Sequence, residues 1–249
     1  MKVSVVMACF NGEKFIYEQI KSIICQLSTY DELIIINDCS EDKSLDVIKS
    51  FNSQLIKVIS NDTNLGVISS FEKGLHIAKN ELIFLADQDD IWGANKVSLY
   101  KKNFLESDCN VVCSDAEFID INGNKIFSSF FDSEFSYGFS SSLFLNFIKN
   151  RYLGCTLAFK KDLIKYMLPF PSWISMHDIY IGNVASIVGK VASIDKSVFY
   201  YRRHNKNVTS LKGKIDYKSI LINRIKFVGQ VFIILYRKII FSFQKKEVI

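Results

Sequence analysis

No run of about eighteen apolar residues occurs in the 249-residue chain, so no clean membrane span is expected. The apolar stretch Val3-Ser4-Val5-Val6-Met7 is too short for a signal peptide and runs straight into polar Asn11-Gly12-Glu13. None of the six cysteines (Cys9, Cys25, Cys39, Cys109, Cys113, Cys155) stands in a paired Cys-x-x-Cys spacing. Several lie inside apolar runs as small hydrophobes, and a reduced cytosolic compartment is the default. The turn after the first apolar run has no Gly-x-Gly-x-x-Gly, which argues against a dinucleotide-binding dehydrogenase. Internal repeats and low-complexity linkers are also absent, so the body reads as one continuous domain.

What remains is an ordinary globular composition, 49% hydrophobic and 23% charged, long enough to bury a full core. The net charge of +5 hides an asymmetry. Residues 202–249 hold twelve Lys/Arg against Asp216 and Glu247, while residues 1–201 hold nineteen Lys/Arg against twenty-four Asp/Glu. Such a tail suits nucleic acid, an anionic membrane surface or an acidic partner, and composition does not choose among them.

Short apolar runs alternate with helical patterns over the first hundred residues. Val3–Met7, Leu33–Ile36, Leu55–Ile59 and Leu82–Leu85 read as buried strands. Between them, Ile16 to Leu27, Leu45–Phe51 and Ile68–Ala78 read as helices. This alternation predicts an α/β fold with a mostly parallel central sheet and helices on both faces. Ligands in such sheets bind beyond the carboxyl ends of the strands. Further on, Val111–Ser114, Cys155–Phe159, Val191–Ile194 and Val198–Tyr201 read as strands, Asp178–Val188 as a helix, and Asn122-Gly123-Asn124 as a hairpin turn. From about Tyr217, Ile220, Leu221, Ile225, Val228, Phe232 and Leu235 recur at helical spacing among basic residues. The apolar stretch Phe227–Tyr236 is too short to span a bilayer but fits a basic amphipathic helix in a membrane interface. Packing on the body or on a second subunit is the alternative.

Chemistry concentrates at Asp87-Gln88-Asp89-Asp90, three carboxylates directly after an apolar run. Along an extended backbone Asp87 and Asp89 point the same way. Convergent carboxylates suit Mg²⁺ or Mn²⁺, and a polar loop capping the next helix is the competing reading.

Together the segments resemble the family-two glycosyltransferases, whose GT-A fold is a nucleotide-binding α/β sandwich. Val3 to Gly12 is similar to their opening strand and nucleotide loop, and Asp31 to Asp42 to their second strand and its DDGSxD turn, with Asn37 and Cys39 where Asp and Gly are usual. Asn64-Leu65-Gly66 matches the NxG element and Asp87-Gln88-Asp89 the DxD motif. Gly154-Cys155-Thr156, His177-Asp178 and Tyr201-Arg202-Arg203-His204-Asn205 resemble the later sugar, base and C-terminal motifs. The likeness covers about residues 1–210, divided into a nucleotide-binding part (1–110) and an acceptor and catalytic part (111–210), with 211–249 as a basic amphipathic helical tail.

The resemblance implies residue roles. Ala8 and Phe10 line the base and ribose, and Asp38 accepts from the pyrimidine N–H; an Asx-turn residue and a core aromatic are the alternatives for Asp38 and Phe10. Asn64, Asp87, Asp115, Gly154, Arg202 and Arg203 join them in holding the sugar nucleotide, with at most one of the two arginines pointing inward. Asp89 and His204 ligate Mg²⁺ or Mn²⁺, and Asp178 is the general base of an inverting transfer. Asp90 is the expected cap of the next helix.

The implied activity is transfer of a hexose or deoxyhexose such as rhamnose from a dTDP- or UDP-sugar to a glycan or lipid-linked oligosaccharide, as in bacterial O-antigen or capsule synthesis. Nucleic acid is not expected as a partner. The implied location is the cytoplasm, peripheral on the inner membrane face. A QxxRW motif, typical of processive members, is absent. An inactive scaffold subunit and a sugar nucleotidyltransferase are the alternatives; the first loop lacks the Gly- and Arg-rich pattern of the latter.

Overall fold

The computed structural model describes residues 1–132, 138–204 and 217–246. In chain order it contains β1 (Val3–Cys9), α1 (Ile16–Ile24), β2 (Glu32–Asn37), α2 (Ser44–Ser50), β3 (Ile56–Ser60), α3 (Gly66–Ile77), β4 (Leu82–Ala86), β5 (Ile91–Trp92) and α4 (Lys96–Glu106). There follow β6 (Val111–Ser114), β7 (Glu117–Ile119), β8 (Lys125–Phe127), α5 (Leu143–Ile148), a 3₁₀ turn (Gly154–Thr156), β9 (Ala158–Lys160), a second 3₁₀ turn (Lys161–Leu163), α6 (Ile164–Met167), α7 (His177–Val188), β10 (Val191–Ile194), β11 (Phe199–Arg202) and α8 (Tyr217–Lys246).

Seven strands form the central sheet in the order β10-β6-β9-β4-β1-β2-β3, parallel except for β9, which runs against both β4 and β6. The period of two explains why both faces are covered. On β1, Val3, Val5, Met7 and Cys9 join one buried cluster and Val6 the other; on β2, Leu33 and Ile35 divide from Ile34 and Ile36 in the same way. A second sheet, β5-β11-β7-β8, packs beside it and carries the Asn-Gly hairpin, with Gly123 at φ 86°. The fold agrees with the expected doubly covered, mostly parallel architecture.

Three local expectations change. Cys155–Phe159 is not a continuous strand, because Gly154–Thr156 winds into a 3₁₀ turn before β9 begins. Asp90 does not cap the next helix: α4 starts after Asn95, and Asp90 is buried with its Oδ1 accepting from Arg202 N–H at 2.9 Å. The tail helix is 30 residues long, and its segment Lys218–Gln244 is long and apolar enough to cross a membrane by length and composition. A count of uninterrupted apolar residues missed this because Arg237 and Lys238 break the run without lowering the mean hydropathy enough. The expected boundary at 210/211 and Asn205 lie outside the described residues.

Candidate active site

The parallel strands end side by side: Met7 pairs with Ala86 and Cys9 with Asn37. Their following loops therefore share one rim. A cleft of about 340 Å³ opens there, and it brings together Ala8, Phe10, Asp38, Asn64, Asp87, Asp89, Gly154 and Asp178. An adjoining cleft of about 520 Å³ shares Phe10, Gln88 and Asp89 and adds His204.

Two loops are braced by polar side chains. Gln88 clamps Phe10, accepting its N–H at 2.9 Å and donating to its carbonyl at 3.0 Å. The Phe10 ring is 43% exposed, which removes the core-aromatic alternative. Asp38 is buried and holds the start of α3: Oδ1 accepts from Asn61 Nδ2 and Leu65 N–H, and Oδ2 from Gly66 N–H, all at 2.8 Å. A carboxylate offers about four lone-pair sites, so one site on Oδ2 remains for a ligand donor. Cys39 follows at φ 62°, a left-handed conformation that explains why glycine is usual in this turn.

The acid cluster divides in two. Asp87 and Asp89 line the cleft, whereas Asp90 turns inward with its Oδ2 buried and without a hydrogen-bond partner among the described residues. Burial, then the charges of Asp89 and Asp178, pushes Asp87 up to about 7; burial, then the charges of Asp89 and Asp87, holds Asp90 well above the usual carboxylate range. Lys96 is fully buried beside them, and burial pushes its ammonium down to about 7 against the attraction of both carboxylates. Its Nζ donates to the Cys155 carbonyl at 2.8 Å and sits over the rings of Trp92 and Phe199 at 4.1 and 4.4 Å. Tyr100, one turn on, donates to the Thr156 carbonyl at 2.6 Å. Sequence reasoning missed both; the one available signal is that Lys96, Tyr100 and Phe104 recur every four residues on the apolar side of α4.

Asp89 and His204, far apart in sequence, meet at the mouth of the cleft with Oδ2 and Nε2 at 2.8 Å, and Phe15 stacks on the imidazole at 4.9 Å. The carboxylate oxygen suits Mg²⁺ or Mn²⁺, and the imidazole nitrogen beside it, a softer donor, makes the pair fit Mn²⁺ better than Mg²⁺. A second grouping, Asp87, Asp90 and Cys155, has its donor atoms within 4.8 Å of one another. It fits a hard cation poorly: the Cys155 thiol is held protonated by burial, and the Lys96 ammonium already supplies the positive charge.

Asp178 opens α7, and burial raises its carboxylate to about 6 despite the Ile179 N–H donated to Oδ1 at 2.7 Å. Gly154 stands directly against it: a Cβ there would lie 2.7 Å from the Asp178 Cβ. His177 is buried, stacked on Phe71 at 4.0 Å, and pushed down to about 3 by burial, so the imidazole is neutral. Its Nδ1 has no partner among the described residues.

Three nominated residues lie elsewhere. The Arg202 guanidinium is spent inside the protein, on the carbonyls of Asp89 and Ile121 and the Glu18 carboxylate. It braces the acid loop from inside the protein. Arg203 spreads over the ring of Tyr201 at 5.5 Å, and it is Tyr201 that lines the cleft. Asp115 faces a different, smaller pocket, where its Oδ1 accepts the N–H groups of Ala116, Phe130 and Phe131.

Comparison with known proteins shows the family and the fold. The family model described as glycosyl transferase family 2 matches residues 4–167. The chain is 26% identical to the Escherichia coli UDP-Glc:alpha-D-GlcNAc-diphosphoundecaprenol beta-1,3-glucosyltransferase WfgD over 72% of this chain and 67% of that protein. It is 26% identical to the Shigella flexneri dTDP-rhamnosyl transferase RfbG over 89% and 80% respectively. The chain spans about two thirds of the length of several curated relatives that it matches. Its fold superimposes on Staphylococcus aureus TarS 1–349 in complex with UDP-GlcNAc with a TM-score of 0.69 at 21% identity, covering 95% of this chain and 72% of that one. For the Pyrobaculum calidifontis mannosyltransferase PcManGT with GDP-Man and Mn²⁺, the values are 0.62, 14%, 94% and 64%. The chain belongs to glycosyl transferase family 2.

Proposed function

We propose that the chain is an inverting, divalent-metal-dependent glycosyltransferase that moves a hexose or deoxyhexose from a UDP- or dTDP-sugar to a glycan or lipid-linked glycan in bacterial surface polysaccharide synthesis. Residues 1–110 hold the nucleotide, residues 111–210 complete the acceptor side, and the work is done at the cytoplasmic face of the membrane. The observation that carries the reading is the Asp178 carboxylate, raised to about 6 and sharing one cleft with Asp87 and Asp89.

The chemistry follows from that placement. Ala8, Phe10 and Asn64 enclose the nucleoside, and the remaining lone pair of Asp38 accepts its N–H. Asp89 and His204 are the residues to hold Mg²⁺ or Mn²⁺, which when bound neutralises charge on the diphosphate. Asp178 keeps Oδ2 for the acceptor hydroxyl, taking its proton as the hydroxyl oxygen bonds to the sugar C1 and the C1–O bond to the diphosphate breaks. Attack from the face opposite the leaving group inverts the anomeric centre. WfgD and RfbG, by their names, use UDP-glucose and a dTDP-rhamnosyl donor; this supports the nucleotide class without choosing between them.

The test is calorimetric binding of UDP and dTDP with and without Mn²⁺, followed by donor hydrolysis across UDP-, dTDP- and GDP-sugars. Metal-enhanced binding that Asp89→Ala abolishes, together with nucleotide release from one donor, is the expected result. Binding unchanged by metal would sink the metal assignment, and binding without release from any donor would make the chain a scaffold.

A further inference from the structure

The tail helix α8 is apolar on two sides: one packs on the protein, where Phe227 and Ile234 are buried around Gln230, and the other faces out. Gln230 accepts from Asn183 Nδ2 at 2.7 Å inside the contact with α7, and Asn223 accepts from Ser175 at 2.8 Å. Arg237 donates to the carbonyls of Met167 and Pro169, and Lys238 to that of Ile187. On the opposite side Leu221, Ile225, Val228, Phe232, Leu235, Ile239 and Phe243 recur every three or four residues as one stripe. Ile225, Phe232 and Phe243 are 65%, 68% and 64% exposed, fractions that a helix packed only on its own body would not leave on bulky apolar side chains. At 1.5 Å per residue the stripe runs for roughly 33 Å.

We propose that this outward face is the seat of an anionic lipid surface, with α8 lying in the plane of the membrane. Two observations select this occupant. The segment 217–246 carries seven Lys/Arg and no Asp/Glu, so two copies paired about a two-fold axis through this helix would set like charge against like charge with no carboxylate between them. Negatively charged headgroups relieve that charge as the stripe enters the acyl boundary. Although α8 is long enough to cross a bilayer, the body contacts it from Asn223 to Lys238, and a spanning helix would have to shed all of them. In-plane docking keeps every contact. It also places the cleft beside the lipid, because Ser175, bonded to α8, lies three residues before Asp178. The inference deepens the membrane-face reading above, yet it does not depend on transferase activity.

The experiment is co-sedimentation of the purified full chain with vesicles of phosphatidylcholine alone or with about 30% phosphatidylglycerol, without donor or acceptor. The wild type should bind the anionic vesicles at least tenfold more tightly than neutral ones. Phe232→Asp with Ile239→Asp should weaken that binding at least tenfold while leaving circular dichroism, donor hydrolysis and a monomeric mass by light scattering unchanged. Absence of wild-type vesicle binding, or equal binding by the variant, overturns the proposal. A dimer that the same substitutions dissociate, with no vesicle binding, would assign the stripe to a second copy and also overturn it. Donor hydrolysis is read separately, so a failed transferase reading is distinguishable from a failed membrane reading.

Discussion

Replacing Gly154 by alanine should stop catalysis while sparing nucleotide binding. The new Cβ would sit 2.7 Å from the Asp178 Cβ and 3.6 Å from its Cγ. Carbon atoms rest at about 3.5–4.0 Å, so one partner must move by roughly 1 Å. The turn cannot yield easily, because Lys96 and Tyr100 hold the next two carbonyls from the buried face of α4. Asp178, on the first turn of α7, is the partner that gives way. A misplacement of about 1 Å at a reacting group costs on the order of 10²-fold in rate, or about 2.7 kcal/mol of barrier. Overpacking should also lower folding stability by about 1–3 kcal/mol. The assay is kcat for transfer at saturating donor, alongside calorimetric UDP or dTDP affinity and urea unfolding. A Gly154→Ala enzyme with kcat within threefold of wild type would refute the argument that this glycine sets the position of the base. Equal loss of nucleotide affinity would show that the methyl blocks the donor.

Further outcomes follow from the fold and the site. The kcat profile should fall as pH drops through about 6, where Asp178 takes up its proton, and Asp178→Asn should remove transfer while keeping donor binding. Burial raises this carboxyl above its unfolded value of 3.8, so the cost of charging it is absent below that value and complete above about 6. Asp178→Asn should therefore gain stability over wild type as pH rises from 4 to 7, and urea midpoints that stay parallel across this range would contradict the burial assignment. Cys39→Gly should stabilise the protein by about 1 kcal/mol, since φ 62° costs a side chain that glycine lacks; an unchanged or lower urea midpoint refutes it. Lys96→Met leaves the buried Cys155 carbonyl without its donor and should cost about 1–3 kcal/mol, with an unchanged urea midpoint counting against that role.

The amino-acid sequence by itself determined the layered fold. The period of two in β1, β2 and β4 and the 3.6-residue spacing of the helices between them are local patterns, and burying both faces of such strands leaves little besides a parallel sheet covered on two sides. The rim was legible for the same reason, because the residues at 10–12, 38 and 87–89 each follow a strand directly. The tertiary structure alone decided which of those side chains line the cleft. Arg202 and Asp90 sit in motif positions yet turn inward, because the acid loop needs a buried donor and acceptor to hold it. Asp115 is consumed by three backbone N–H groups that the chain brings back from residues 116–131. Lys96 became visible only once α4 was packed against the Gly154 turn. Likewise the apolar stripe of α8 can be counted in the sequence, but which side of the helix the body covers cannot. Helical periodicity specifies relative angles around an axis, and only packing sets which angle faces the protein.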